Sequence, residues 1–487
     1  MINRSNRSYL LAALGISILF FAVFKVFYPY PNMVKDSYVY LKGAVFNLGA
    51  NSFPIGYSRF LQLFSFFSRS TLILVCIQYI VLESACLLLF FTVLHFFRPS
   101  KTIIYLIFTF LFCNPLFLFL SNFIMSDTIF TALSIFWITQ LIWIICCPRP
   151  YMIWTQAVLL LLAFTVRYNA LYYPLIASVV ILLSRLWVWY KITGIFLQFV
   201  LIGVFIRYTG SEVQQLTGVR QFSPFGGWQM ANNALYMYGH IYSKEKGPVP
   251  VKFLELDSTV RQYFEVTHHV ESLLNNEVGG GGNYYAANGN SPLIIFMNMK
   301  YGSDTIFQNF KKWGPMGFTC GQYGAYLISH HPVAFARYWI WPNSIRYIDP
   351  PAEVFQKYTP YFLPHDEFGK MASQWFDLKT LTIPWPLIRL RTSLLSFYPV
   401  FFALLNLFFV LACIGFCLFG GLKKTNKANL YVLLTVAILW ICNATFSITA
   451  SSIVLRYQVF IMIVQLVFSL VLADAIYRDS DRKTATR

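Results

Sequence analysis

Residues 1–208 hold only three carboxylates, Asp36, Glu83 and Asp127, although the whole chain has 19. A charge is costly to place in apolar surroundings, so each of the three needs a physical reason. Asp36 stands in Tyr28-Pro-Tyr-Pro-Asn-Met-Val-Lys-Asp-Ser-Tyr-Val-Tyr-Leu, where two prolines end one apolar run. Asp127 stands in Asn122-Phe-Ile-Met-Ser-Asp-Thr-Ile-Phe, at the opening of another. Either could serve a helix start, because aspartate there accepts backbone N–H bonds and suits the local dipole. Brought to a common depth, the two acids could instead handle a proton, a metal ion or a hydroxyl. Arg167, in Arg167-Tyr-Asn-Ala-Leu-Tyr-Tyr-Pro, and Arg456 also lie at the ends of apolar runs. Guanidinium forks pair well with phosphate, and a phosphate carried on a lipid tail would satisfy both. Arg207 reads as snorkelling to lipid headgroups. Glu83, in the middle of a run, reads as hydrogen-bonded to a neighbouring helix, or else as part of a proton path in a transporter.

The elements that must position these residues are membrane spans. A chain that is 57% hydrophobic and 11% charged carries too little charge to solvate a soluble surface. Apolar runs fit spans near 9–28, 71–97, 102–121, 125–147, 151–166, 170–186, 192–208, 394–420, 428–448 and 452–476, which makes ten, the fifth to seventh short. The first lacks a small-residue cleavage site and is kept as a permanent helix. The expected fold is therefore mainly α and polytopic. It has a seven-helix module in 1–208 with a first outer loop at 29–70, an extracytoplasmic loop or small domain at 209–391, and three helices with a basic tail in 392–487.

Charge placement orients the chain. The 37 Lys and Arg exceed the 19 Asp and Glu by 18, yet the polar stretch 209–391 is nearly balanced, with 15 basic and 13 acidic residues. The surplus sits in short segments between apolar runs: Arg4 and Arg7, Arg98 and Lys101, Arg149, Arg185 and Lys191, Lys423, Lys424 and Lys427, and the tail with Arg478, Arg482, Lys483 and Arg487. That is a topology signal rather than a nucleic-acid patch, and it places these segments and both termini in the cytoplasm. Asp36, Asp127, Arg167 and Arg456 then share the outer side. Residues 53–69, which mix aromatics with Arg59 and Arg69, read as a helix lying in the interface.

The outer segment offers weaker signals. Gly279 to Gly282 reads as a mobile loop and lacks the Lys-Ser/Thr of a phosphate-binding loop. His268, His269, His330, His331 and His365 show no HExxH spacing, and the nine cysteines show neither a disulfide framework nor a zinc pattern. Trp228, Tyr236, Trp313, Trp339 and Trp341 suit either an interface belt or stacking on sugar faces. No internal repeat is visible, which weighs against a repeat-built transporter.

The order of a first helix, an outer-loop acid (Asp36), two interfacial segments, Ser126-Asp127 at the outer start of the fourth span, and an outer Arg167 followed by an apolar run to Pro174 resembles the GT-C superfamily of lipid-linked-sugar glycosyltransferases. It resembles especially the branch with protein O-mannosyltransferases, the lipid A aminoarabinose transferase and related bacterial enzymes. The resemblance covers roughly residues 1–210. The resemblance implies that Asp36 is the general base, that Asp127 orients the acceptor or binds a metal, and that Arg167 contacts the donor phosphate. A single Asp36 in place of an Asp-x-Asp pair leaves a divalent metal an open question, with no other cofactor implied.

The implied reaction moves a sugar from a polyprenyl-phosphate donor to a hydroxyl of a protein, glycolipid or polysaccharide acceptor. A phosphate leaving group departs as a stable anion, so one base suffices, and Arg167 with Arg456 would take up the developing charge. Attack opposite the phosphate implies inversion at the sugar carbon. The competing readings are a transporter or lipid flippase, and a polysaccharide polymerase or ligase. A bacterial inner membrane is the expected location.

Overall fold

The computed structural model describes residues 4–485 except 245–246, 248, 269, 275–281, 303–309, 357, 359–366 and 379–394. His269, His365 and Gly279 to Gly281 lie outside the described residues. The described chain is helical, and its β structure is a single isolated bridge between Asn32 and Phe123.

Helix α1 (Arg4–Phe27) ends before the prolines of the first loop, which folds into two short amphipathic helices, α2 (Lys35–Val45) and α3 (Gly56–Ser65). There follow α4 (Thr71–Phe97), α5 (Lys101–Phe112), α6 (Pro115–Ser121), α7 (Asp127–Cys146), α8 (Tyr151–Val166), α9 (Tyr173–Leu183) and α10 (Val188–Thr217). The break between α5 and α6 falls where Pro115 has no N–H to donate to the preceding turn. Asn114 Oδ1 repairs it by accepting from Leu116 N at 3.1 Å and from the Tyr398 hydroxyl. After the outer segment come Tyr398–Leu418, Lys427–Ala450 and a last helix, Leu455–Ala485.

Eight described helical stretches, one of them α5 and α6 taken together across their break, are long and apolar enough to cross a bilayer. The other two expected spans form apolar stretches, Tyr151–Val166 and Tyr168–Leu183. At 1.5 Å per residue these 16-residue stretches reach only about 24 Å, against about 30 Å of hydrocarbon. The seventh span departs from expectation, since α10 has 30 residues and runs past 208 to Thr217. Thr209-Gly-Ser-Glu looks like a turn, yet Thr209, Gly210 and Val213 are buried and hold the helix in register against its neighbours.

Three of the basic segments, at Arg98, Lys427 and Arg478, meet at one end of the bundle. Arg478 Nη2 donates to the Arg98 carbonyl at 2.8 Å, Ser100 N donates to Asp474, and Asn429 Nδ2 donates to the Phe96 carbonyl. The opposite face carries α2, α3, the α8–α9 turn and the outer unit.

The polar stretch between α10 and Tyr398–Leu418, expected on the outer side, has its own core around α11 (Pro224–Tyr238) and the helix Phe310–His330. The two helices touch backbone to backbone. A Cβ added at Gly227 would lie 1.9 Å from the Gly317 carbonyl oxygen, so neither position admits a side chain. The aromatics expected at a belt or on sugar faces mostly do neither: Trp228, Tyr236, Trp313 and Trp339 are buried in this core, and of that group only Trp341 is exposed. The unit is seated on the membrane bundle by polar contacts. Trp339 Nε1 and Asn343 Nδ2 donate to the Ile448 carbonyl, and Asn343 Nδ2 also donates to the Ser451 carbonyl. Carbonyls at the end of a helix have no partners of their own in it, so this seat satisfies them.

Candidate functional site

Backbone bonds bring the two acids together before any side chain is considered. Asn32 N donates to the Asn122 carbonyl at 2.7 Å and Ile124 N to the Asn32 carbonyl at 3.1 Å, so the chain after α1 runs parallel to the chain before α7. Asp36 follows Asn32, and Asp127 follows Phe123, by the same four residues. Side chains lock the bridge. Asn122 Nδ2 donates to the Tyr30 carbonyl, Lys25 Nζ donates to Asn122 Oδ1 at 2.6 Å, and Gln78 of α4 donates to the carbonyls of Ser121 and Phe123. Tyr40 OH and Ser126 Oγ, 2.8 Å apart, add a second tie between α2 and α7. Each acid sits in the first turn of its helix, but the capping positions belong to Val34 and Ser126.

Arg456, at the start of the last helix, bridges the pair. Its Nη2 donates to Asp36 Oδ2 at 2.9 Å, and its Nη1 lies 3.7 Å from Asp127 Oδ2. Arg167 Nη1 donates to the other oxygen, Asp127 Oδ1. The start of the last helix is itself fixed by the outer segment, because Leu455 N donates to the Pro351 carbonyl and Ile453 N to Asn343 Oδ1. Arg167 projects from an extended residue between α8 and α9. Its turn is pressed against α3, where a Cβ at Gly56 would come within 2.6 Å of the Thr165 carbonyl. All four residues singled out from the sequence thus belong to one cluster.

Exposure separates the acids. The Asp127 side chain is 3% exposed and Asp36 is 30% exposed, with Arg167 at 14% and Arg456 at 12%. Both oxygens of Asp127 face guanidiniums, which suits a residue that holds two cations in place. Only Asp36 keeps an accessible carboxylate oxygen with no bond to a described residue, so it is the acid able to accept a proton from an arriving group. Arg456 Nε is buried without a hydrogen-bond partner among the described residues.

Two further residues belong here. Tyr457 lies under both cations, with Arg167 at 4.6 Å and Arg456 at 4.8 Å from its ring centre, and its hydroxyl accepts from Arg456 Nη2 at 2.9 Å. Glu353 stands beside Arg456, Arg346 and Asp36. Burial pushes its carboxyl up, the two guanidiniums pull it back, and Asp36 adds to the rise. Burial likewise pushes the Tyr40 phenol up, so it stays protonated near neutral pH. Sequence reasoning missed Glu353 because it is one of 13 acids in a segment of balanced charge. A usable signal was the pair of prolines, Pro350 and Pro351, which force extended chain just before it.

The donor set does not fit a divalent metal shared by the acids. The Arg456 guanidinium occupies the place between Asp36 and Asp127 that such a cation would take. Among the described residues no three His, Cys, Asp or Glu come together as a metal site, and all nine cysteines are free. Glu83 is buried in α4 and accepts a hydrogen bond from Ser17 of α1. Arg207 is not part of the cluster and makes no hydrogen bond or ion pair with a described residue. Comparison of the chain with family models, with curated proteins and with solved structures gave no match.

Proposed function

We propose that this chain is a membrane glycosyltransferase of GT-C type, which moves a sugar from a polyprenyl-phosphate donor to an acceptor hydroxyl at the outer face of a bacterial inner membrane. The observation that carries the reading is a solvent-reachable carboxylate, Asp36, joined through Arg456 to a buried acid and a second arginine at one face of an apolar helical bundle. The acceptor oxygen attacks the anomeric carbon while the carbon–oxygen bond to phosphate breaks, and that electron pair leaves with the phosphate. Asp36 takes the hydroxyl proton. The charge that accumulates on the departing phosphate is met by guanidinium groups. Arg456 holds Asp36 by Oδ2 and leaves the other carboxylate oxygen to act as base, while Asp127 keeps Arg167 and Arg456 from drifting. Attack on the face away from the phosphate inverts the sugar carbon.

The test is transfer by purified protein in vesicles supplied with a panel of labelled polyprenyl-phosphate sugars and a crude envelope acceptor. Wild type transfers label with inversion from at least one donor, and Asp36→Asn, inserted to the same level, does not. Unchanged transfer by Asp36→Asn removes the base.

A further inference from the structure

Away from the acid cluster, but on the same face of the bundle, a groove of about 440 Å³ runs along α10 and is lined by Gly203, Ile206, Arg207, Gly210, Arg220 and Phe222, with Gln221. We propose that it is a binding site for the phosphate headgroup of a membrane lipid, held by Arg207 and Arg220, with the lipid's chain lying along the exposed side of α10. The proposal does not depend on the sugar-transfer reading.

The charges come first. Arg167 and Arg456 are already balanced by Asp127 and Asp36. Arg207 and Arg220, in contrast, are exposed and form no hydrogen bond or ion pair with any described residue. Arg220 lies beyond the end of α10 and folds back over it, its Nε within 3.9 Å of where a Gly210 Cβ would be. Two cations therefore line one short stretch of helix with no ion pair to an acid among the described residues. A phosphate offers several acceptor oxygens and more than one arginine can share it.

Depth comes second. From Val188, the first residue of α10, a rise of 1.5 Å per residue puts Arg207 at about 29 Å along the helix, one hydrocarbon thickness of about 30 Å from its other end. Arg207 is thus at headgroup level, where a lipid phosphate resides.

The helix face comes third. Phe196, Phe199, Val200, Gly203 and Arg207 recur at the three- and four-residue spacing of one helical stripe. Phe196 is 69% exposed, Phe199 46% and Val200 38%, so an uncovered apolar track leads from the hydrocarbon to the arginine. At Gly203 nothing lies within 4 Å of where a Cβ would be, which leaves a notch for a chain directly below the cations. The far wall is Phe222, stacked on Phe164 and packed at a tilt against Tyr168, the neighbour of Arg167. Snorkelling alone explains one arginine at this depth; it does not explain a second one folded back over the same notch.

The probe is dioleoyl phosphatidic acid, with dioleoyl phosphatidylcholine and inorganic phosphate as controls, titrated onto delipidated full-length protein and counted by native mass spectrometry. One phosphatidic acid binds more tightly than phosphatidylcholine, and inorganic phosphate does not displace it. Arg207→Ala and Arg220→Ala each weaken it at least about fivefold, the value of one basic residue at an anionic lipid surface. Gly203→Leu, which leaves both charges, weakens it as well by filling the notch. Retention of phosphatidic acid by the double arginine variant overturns the site, and so does displacement by inorganic phosphate, which would mean an anion site without a lipid chain. Should the double variant elute as an aggregate, the single variants and Gly203→Leu decide. None of these readouts uses sugar transfer, so failure here and failure of the enzymatic reading are distinguishable.

Discussion

Asp127→Asn and Asp36→Asn remove the same charge from the same cluster, and the geometry separates their effects. Asp127 is 3% exposed and faces two guanidiniums that are themselves 14% and 12% exposed. Opposite charges about 4 Å apart attract by roughly 4 kcal/mol at an effective dielectric of about 20. Removing one partner from a buried pair costs about 3–5 kcal/mol, because the abandoned charge stays desolvated. Asp127→Asn leaves Arg167 without its carboxylate and Arg456 with only Asp36 and the nearby Glu353, so a loss of about 3–5 kcal/mol is expected. Asp36 is 30% exposed. Water screens its pair with Arg456, and removal of that contact costs about 1 kcal/mol or less. The assay is the half-life of folded, monodisperse protein at a series of temperatures in nanodiscs, since membrane proteins commonly unfold irreversibly and the rate is then the meaningful quantity. Asp127→Asn should lose its folded form well below the temperature at which Asp36→Asn does. Asp127→Asn with Arg167→Gln should recover part of the loss, because the stranded charge is gone. Equal half-lives for the two single variants, or no recovery in the double, would refute the assignment of Asp127 as the buried anchor.

Arg456→Lys keeps the charge but cannot reach Asp36 and Asp127 with two nitrogens of one plane. Transfer should fall by roughly tenfold or more, from the loss of one charge-assisted hydrogen bond of about 1.5–3 kcal/mol, and wild-type turnover would count against a bridging role. Gly227→Leu forces α11 away from Phe310–His330 and should cost about 1–3 kcal/mol or more; limited proteolysis should then cut within 209–391 while the membrane helices stay intact, and an unchanged digest would contradict the backbone contact. Burial raises the Glu353 carboxyl above its ordinary range, so its contribution to stability is fully present at pH below the unfolded carboxylate value and is lost as pH rises through the folded one. Glu353→Gln should therefore match wild type in acid and outlast it at neutral pH, and a variant less stable at neutral pH would show that attraction to Arg346 and Arg456 outweighs burial.

Much of the site was legible because charges are scarce in apolar sequence. Asp36, Asp127, Arg167 and Arg456 stood out as residues whose burial in hydrocarbon would be costly, and the alternation of apolar runs with basic segments put them on one side. What sequence could not supply was pairing. The parallel bridge at Asn32 and Phe123 arises from two loops that read separately as helix breaks. Nothing in the sequence showed that the fork of Arg456, read as a phosphate contact, also lies between the two acids. Tyr457 gave no signal, since tyrosines abound at membrane interfaces, and Glu353 was one of 13 acids in 209–391, marked only by the prolines before it. The apolar run at 192–208 marked a membrane span, and the helix continues past it to Thr217 because Thr209, Gly210 and Val213 are buried against neighbours. The outer aromatics were assigned to a belt or to sugars because local sequence does not reveal that a segment of this size folds around a core of its own.

The most direct measurement is the mass of the lipid held by purified Asp36→Asn protein. A transferase stripped of its base can still load the donor but cannot complete the reaction, so native mass spectrometry should find an intact polyprenyl-phosphate sugar on the variant and less of it on wild type given acceptor. A variant that retains no isoprenoid lipid, when supplied with the donor panel, would contradict the assignment of this cluster to sugar transfer.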